Sequence, residues 1–194
     1  MSTLKNYVTD AIRTESRIES VNVNKETLIA VLKAYIAVGN LLDDLKKNIF
    51  YNKPVDSYKW AQQKNTIHTQ LGDIMSNIDG LRVDTMSFDP RLFHAIIGIA
   101  TESTELVEAI LTAVDNNGDI DHVNVKEELG DLNWYQAIAV DASDADWDAI
   151  LTTNIEKLRK RYPEKFTSEH AINRDLVAER KILEGDLSHD GETN

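Results

Sequence analysis

Apolar residues recur every three or four positions along most of the chain, which is the spacing of amphipathic α-helices. The clearest case is the stretch 27–50, which carries a continuous apolar stripe. The stripe consists of Leu28, Val31, Leu32, Tyr35, Val38, Leu42 and Leu45. Further helices are predicted at 3–19, 57–79, 91–114, 123–140, 147–162 and 168–184. The pattern therefore predicts an all-α protein, folded as a helical bundle.

Capping signals sharpen several of these boundaries. Asp89 precedes Pro90, which is the order of an N-cap residue and a first-turn proline. Asn124 is the expected cap of the helix after it. The pair Asp79 and Gly80 is a stop signal for the third helix.

The two halves of the chain resemble each other. Residues 40–75 follow the pattern of 105–133, including the tripeptide Leu-Gly-Asp at 71–73 and 129–131. The offset is 65 residues before the predicted loops and 58 after them, so we expect seven extra residues around the first loop. We predict two helical hairpins in one compact unit, with the first interpreted as a repeat of the second. The expected divisions are 1–85, 86–187 and a polar tail at 188–194.

Composition and charge exclude several classes of function. The chain has 194 residues and a net charge of −12, which argues against a general binder of nucleic acid or anionic membranes. It has no cysteine, so disulfides, thiol catalysis and zinc–thiolate sites are excluded. No stretch approaches the ~20 apolar residues that a membrane span needs. The cytoplasm is therefore the expected compartment.

Four acidic residues are arranged so that they can meet. Glu102 and Glu105 are three residues apart on one predicted helix, and Glu128 and Asp131 are three apart on the next. Residues at this spacing share a helix face. Both cross-helix pairs centre on the predicted loop at 116–117, so an antiparallel hairpin should bring all four carboxylates together.

Four neighbouring carboxylates repel one another unless a cation lies between them. An all-oxygen set of ligands suits Mg²⁺, with Mn²⁺ as an alternative. Single glutamates on helices are usually solvated surface charges, but the matched spacing of these four favours a metal site.

These motifs resemble a known family. The sequences ESTE (102–105), EELGD (127–131) and NIEKLRKRYP (154–163) are similar to the signature of the MazG-like nucleoside triphosphate pyrophosphohydrolases. That all-α superfamily includes dimeric dUTPases and dCTP pyrophosphatases, and the likeness covers roughly residues 88–182. It implies Mg²⁺-dependent hydrolysis of a nucleoside or deoxynucleoside triphosphate to the monophosphate and pyrophosphate. It also implies a homodimer or homotetramer, with the four acids as metal ligands and catalytic groups.

The resemblance also suggests substrate contacts. Asn154, Lys157 and Arg161 lie on one helical face and would clamp phosphates, although a basic helix end stabilised by the helix dipole is the alternative. Tyr135 follows Asp131 by one turn and could bind phosphate or stack on sugar, or simply fill the core.

Two further residues have both a functional and a structural interpretation. Lys53, in the loop FYNKP (50–54), could reach phosphate or base, and a simple turn is an equal alternative. His94 could line a base pocket, although packing in the core or an interface is favoured for it, as for Trp134.

The first hairpin lacks the acids. Its matching positions are expected at Ala37, Asn40, Gln70 and Asp73, of which only one is acidic. A degenerate copy of this kind would leave one working site per chain.

Two other functions stay open. The chain could be a nucleotide-binding regulatory protein with little turnover, or a plain helical oligomerisation module, although the latter does not explain the acid pattern. The sequence does not indicate base or sugar preference, nor whether the role is control of nucleotide pools or removal of non-canonical nucleotides.

Overall fold

A computed structural model describes residues 3–77 and 83–185 and confirms the all-α fold. The described helices are α1 (Thr3–Ala11), α2 (Lys25–Tyr51), α3 (Ser57–Asn77), α4 (Pro90–Asn116), α5 (His122–Ala142), α6 (Trp147–Arg161), α7 (Ser168–Ile172) and α8 (Leu176–Leu183). A 3-10 turn follows α1 at Ile12–Thr14, and two short strands are β1 (Asn22–Val23) and β2 (Asp84–Thr85). The predicted stop at Asp79-Gly80 and the tail 188–194 lie outside the described residues.

Contacts divide the chain into two compact units. The first unit comprises Met1–Val21 and Ser87–Asn154, and the second comprises Asn22–Met86 and Ile155–Asn194. The chain therefore starts in the first unit, passes into the second, returns to the first and ends in the second. This grouping differs from the division at residue 85 expected from the sequence, because both ends of the chain are grouped with the opposite hairpin.

In the first unit, α4 and α5 form a hairpin and α1 packs against α5. The indole nitrogen of Trp134 donates to the carbonyl of Ala11 (3.2 Å) and to the hydroxyl of Thr14 (2.9 Å). Ala95, Ala137 and Ile138 are fully buried and form the centre of the packing. These long-range contacts explain why the first helix belongs to this unit.

A buried ion pair also ties the segment after α1 to α4. The side chain of Glu15 is fully buried and accepts two hydrogen bonds from Arg91, at 2.7 and 2.8 Å. Arg91 also donates to Asp141 on α5 at 2.6 Å. Burial alone would raise the pKa of Glu15, but the hydrogen bonds and charges of Arg91 and Arg17 outweigh it and lower the pKa. The carboxylate therefore stays ionised, and Arg91 links it to both α4 and α5.

In the second unit, α2 and α3 form a hairpin, and β1 pairs with β2 in antiparallel register. Four residues of this unit are buried: Ala30 and Ala37 of α2, Gln70 of α3 and Ile182 of α8. Several residues of the apolar stripe predicted on α2 are exposed, with Tyr35 at 48%. The stripe is therefore only partly covered within the chain.

Several predicted boundaries are confirmed and others change. Asp89 caps α4 by accepting from the amide of Leu92, with Pro90 in the first turn, as predicted. The cap of α5 is Asp121 rather than Asn124, because the Asp121 carboxylate accepts from the amides of residues 123 and 124. The first helix ends at Ala11, well before residue 19.

The predicted helix at 168–184 consists of two helices. Asp175 interrupts it, because its carboxylate accepts from the amide of Ala178 and starts α8 as a new helix. No helix among residues 3–77 and 83–185 has the length and apolar character that a membrane crossing requires.

Candidate metal centre

The four predicted acids lie in the middle of the α4–α5 hairpin. Glu102 and Glu105 are on α4, and Glu128 and Asp131 are on α5. The side-chain caps at Asp89 and Asp121 fix where each helix begins, so they also fix which face each acid occupies.

Three of the four acids converge. Glu102, Glu105 and Glu128 each offer a carboxylate oxygen, and these three oxygens lie within 4.8 Å of one another. Glu128 is 5% exposed, Glu102 is partly buried and Glu105 is exposed. Asp131 is exposed and lies outside this group of three. The predicted convergence is therefore present for three carboxylates, which we call the acidic cluster.

The cluster carries charge that its own residues do not neutralise. The pKa of Glu102 is raised, first by burial and then by the negative charges of Glu105, Asp131 and Glu128. Asp131 is therefore close enough to act on Glu102 electrostatically. A cation between these carboxylates would remove the repulsion, and a set of oxygen donors matches the preference of hard divalent ions. The residues present thus fit a divalent metal ion.

Asn124 also belongs to the site, although the sequence predicted it to be the N-cap of α5. Its side-chain amide donates to a carboxylate oxygen of Glu128 at 2.6 Å, which holds that buried side chain in place. The spacing of four residues on one helix face is the signal that could have identified the pair. A carboxylate fixed in this way is prepared to bind a metal without rearranging.

The cluster opens onto an acidic cleft of about 320 Å³ within the first unit. Glu105 and Glu128 line it, together with Glu108 and with Asp119 and Asp121 from the loop between the helices. These last three residues lie outside the motif, so the sequence did not indicate them. The cleft is therefore more negative than the four motif residues alone would make it.

Tyr135 lies beside the acids, as predicted. Its pKa is raised, first by burial and then by the charges of Glu102, Asp131 and Glu105. Gly98 makes this position possible, because a Cβ atom there would overlap the ring carbons of Tyr135. His94 packs edge-on against the same ring, with centroids 5.4 Å apart, and Trp134 is 6.2 Å from His94.

Tyr7 is a neighbour of the site that no motif indicated. Its hydroxyl donates to the carbonyl of Gly130 at 3.5 Å, and its pKa is raised by burial and by the charge of Asp131. The contact brings α1 next to the motif on α5. It depends on how α1 packs, which local sequence patterns do not reveal.

The predicted phosphate contacts belong to different units. Asn154 is the last residue of the first unit, whereas Lys53, Lys157 and Arg161 lie in the second. Arg161 donates to both carboxylate oxygens of Glu179, at 2.8 and 2.6 Å, so its guanidinium already has an anionic partner. A role of these residues at the acidic cluster stays a prediction.

The register of the first hairpin differs from the sequence alignment. The side chain of Asn40 donates to Gln63 at 3.4 Å, and the hydroxyl of Thr27 donates to the carbonyl of Asn77 at 3.4 Å. Asn40 therefore faces Gln63, and the expected pairing with Gln70 is wrong.

The reason is that the two loops are equally long. Five residues separate α2 from α3, and five separate α4 from α5, so the first loop contains no insertion. With a constant offset of 65, Asn40 and Gln63 correspond to Glu105 and Glu128. Two neutral amides occupy the places of two clustered carboxylates, and among the described residues the second unit has no comparable group of acids.

Comparison with known proteins agrees with the motif. Residues 94–166 match the family model described as the MazG nucleotide pyrophosphohydrolase domain, and this segment includes all four acids. Neither the search of curated proteins nor the search of solved structures returned a match. The acidic cluster thus lies inside the matched segment, and we conclude that residues 94–166 are similar to the MazG nucleotide pyrophosphohydrolase domain.

Proposed function

We propose that the chain hydrolyses nucleoside or deoxynucleoside triphosphates between the α and β phosphates, releasing the monophosphate and pyrophosphate. The observation that carries the proposal is the convergence of Glu102, Glu105 and Glu128 within the segment that matches the MazG domain. The alternative function, a helical oligomerisation module, does not explain why three carboxylates lie this close together. A triphosphate substrate with a divalent cation gives them a function.

The acidic cluster would hold Mg²⁺, or Mn²⁺ in its place, with Asp131 as the fourth acid. When bound, the ion would polarise phosphate oxygens and offset part of the negative charge of the substrate. Asn124 keeps Glu128 oriented throughout, since it is hydrogen-bonded to that carboxylate before any ligand arrives. Tyr135 presents a hydroxyl beside the acids, where it can donate to a phosphate oxygen.

Further substrate contacts are proposed from the family motif and from this geometry. His94 contacts the ring of Tyr135, which would place it near sugar or base. Asn154 and Lys157 would bind phosphate oxygens, and Lys53 and Arg161 are candidates for the same task. Arg161 would contribute through the donors that its pairing with Glu179 leaves available.

We also propose that the chain works as a homodimer or homotetramer in the cytoplasm, where nucleotide pools are found. Large apolar residues are exposed along α4, where solvation is unfavourable. They include Ile96, Ile110, Leu111 and Val114. Covering such a surface by another copy of the chain would remove it from water.

The test is release of pyrophosphate from a panel of ribo- and deoxyribonucleoside triphosphates with Mg²⁺. We expect release from at least one nucleotide, and a loss of at least about 100-fold in the Glu105→Gln variant because a direct ligand is removed. Asp115→Asn is the matched control, since Asp115 is exposed on the same helix and does not line the acidic cleft.

Two results would contradict the proposal. One is equal release by the wild type and Glu105→Gln. The other is nucleotide binding with no pyrophosphate released from any member of the panel, which would favour the catalytically weak regulatory protein instead.

A further inference from the structure

Asp131 is the motif acid that the described contacts leave without support. The carboxylate of Glu128 is buried and held by the amide of Asn124, whereas Asp131 is exposed and lies outside the acidic cluster. No side chain in the described part of the chain donates a hydrogen bond to Asp131. Carboxylates that bind metal ions are usually held by a hydrogen bond from a neighbour, because a ligand that is already oriented loses less freedom on binding. A donor for Asp131 is therefore expected among the residues around it.

Tyr7 of α1 is a neighbour that can donate such a bond. Its hydroxyl donates to the carbonyl of Gly130, which belongs to the peptide group that leads into Asp131. At 3.5 Å this bond is longer than the distance of about 2.7 Å that is usual for a hydroxyl donor, so the carbonyl holds the proton weakly. A carboxylate is the stronger acceptor, because a charged partner strengthens a hydrogen bond. The hydroxyl can therefore turn from the carbonyl to Asp131 without losing a strong contact.

The register between α1 and α5 sets the position of Tyr7. Ala11 is one turn beyond Tyr7, and its carbonyl accepts from the indole nitrogen of Trp134, which is one turn beyond Gly130. The contacts Tyr7–Gly130 and Ala11–Trp134 follow one another in the same direction on both helices, so α1 runs parallel to α5. The hydroxyl of Thr14 is a second acceptor for Trp134, at 2.9 Å. Contacts elsewhere on its segment thus hold Tyr7 at the level of the motif.

The ring of Tyr7 is supported as well. It packs edge-on against Trp147, the first residue of α6, with centroids 6.1 Å apart. The carboxylate of Asp146 accepts from the amide of Ala149 at 2.9 Å, which fixes the start of α6 and with it the place of Trp147. With the ring held in this way, rotation about the C–O bond is the main freedom left to the phenol group.

The two tyrosines beside the acids respond to different carboxylates. The pKa of Tyr135 is raised by burial, then by the charge of Glu102, and only after that by Asp131 and Glu105. The pKa of Tyr7 is raised by burial and by Asp131, which is the one acid that contributes to it. Tyr135 therefore lies towards the acidic cluster, whereas Tyr7 lies on the side of Asp131.

We propose that Tyr7 is a positioning residue for Asp131, donating the hydrogen bond that orients this carboxylate when a divalent ion is bound. The inference rests on the proposed role of Asp131 as the fourth acid. It makes α1 part of the working site, although α1 lies outside the segment that matches the MazG domain. The two acids of α5 are then supported in the same manner, Glu128 by Asn124 from its own helix and Asp131 by Tyr7 from the neighbouring one.

The test is calorimetric titration of Mg²⁺ into the full chain without nucleotide. Tyr7→Phe removes the hydroxyl and keeps the ring against Trp147. We expect its affinity for Mg²⁺ to fall about tenfold, which is the usual scale for loss of a residue that orients a metal ligand. Tyr58→Phe is the matched control, because Tyr58 is 71% exposed on α3. Its affinity should equal that of the wild type.

A double-mutant cycle separates positioning of Asp131 from a general effect on the fold. Asp131→Asn should weaken Mg²⁺ binding by itself, and adding Tyr7→Phe should weaken it no further, because the hydroxyl acts through that carboxylate. In the pyrophosphate assay, Tyr7→Phe should raise the Mg²⁺ concentration for half-maximal rate about tenfold. The KM for the nucleotide at saturating Mg²⁺ should not change.

Three results would overturn the role of Tyr7. They are wild-type affinity for Mg²⁺ in Tyr7→Phe, losses that multiply in the double variant, and no Mg²⁺ binding by the wild type. The first two are measured without nucleotide and leave the proposed hydrolysis untouched. Conversely, a wild type that releases no pyrophosphate, with Mg²⁺ affinity reduced in Tyr7→Phe, would contradict the hydrolysis and support the role of Tyr7.

Discussion

Gly98 is the residue on which the position of Tyr135 depends. The tyrosine ring lies against the backbone of α4 at this point, in space that any Cβ atom would occupy. Glycine inside a helix ordinarily costs stability relative to alanine. Here the close approach of the ring offsets that cost, and it places an aromatic hydroxyl beside the acidic cluster.

Gly98→Ala should therefore destabilise the protein, although alanine is the better helix former. We expect a loss of roughly 1–3 kcal/mol, as for other overpacked positions, measured by urea denaturation. Gly39→Ala on α2 is the control, because nothing lies within 4 Å of a Cβ atom there. It should leave stability unchanged or raise it by up to about 1 kcal/mol. Equal behaviour of the two variants would show that Tyr135 does not depend on Gly98.

The acidic cluster also shows which contacts the spacing of residues along a helix can and cannot predict. Helix periodicity correctly brought Glu102, Glu105 and Glu128 together, because it depends only on which face each residue occupies. It could not indicate that Asp131 stays outside the group of three. It also could not indicate that Asn124 hydrogen-bonds Glu128 rather than capping α5, since both roles suit an asparagine at that position.

The two helical hairpins are built from helices of the same lengths. Helices α2 and α4 have 27 residues each, and α3 and α5 have 21 each. The first helix of each hairpin ends at an asparagine in the left-handed conformation, Asn52 or Asn117. These equal lengths support the proposal that one hairpin is a repeat of the other. The sequence predicted both hairpins but misjudged the register of the first.

The docking of α8 depends on the buried carboxylate of Glu179. Glu179→Gln removes its charge, and we expect a loss on the order of 3 kcal/mol at neutral pH, because the pKa of Glu179 is lowered from 4.5 to about 2. A lowered pKa stabilises the fold above the unfolded value, and that contribution is lost as pH falls. The difference between wild type and variant should therefore shrink between about pH 4.5 and 2.

Urea denaturation at several pH values measures this difference. Glu169→Gln is the control, since Glu169 is exposed on α7 and should show no such pH dependence. A wild-type advantage that stays constant down to pH 2 would contradict the role assigned to the ion pair.

For the whole molecule, the net charge of −12 and the acidic cluster both make the fold sensitive to cations. Any salt screens the general repulsion, whereas a bound divalent ion stabilises only the folded cluster. We expect Mg²⁺ at a tenfold excess over its Kd to raise the Tm by roughly 3–6 °C more than NaCl of equal ionic strength. Glu128→Gln should lose this extra rise and keep the response to NaCl. A scan in which Mg²⁺ and NaCl act alike on the wild type would contradict a specific site.

Local sequence patterns could not predict how the helices group into two units. It depends on contacts between distant segments, such as Trp134 with Ala11 and Glu15 with Arg91. Periodicity identifies the apolar face of α1 but not the helix that covers it. Long-range pairing of this kind needs the folded chain.

The register of the first hairpin has a practical consequence for engineering. Seven residues are almost two full turns of an α-helix, about 10 Å along its axis, so a slip of seven keeps every side chain on nearly the same face. Alignment by motif can therefore be wrong by two turns while all apolar positions still match. A designer who followed the Leu-Gly-Asp tripeptide would install new metal ligands at Gln70 and Asp73, two turns from the correct level. Carboxylates intended to bridge α2 and α3 belong at Asn40 and Gln63, which already touch.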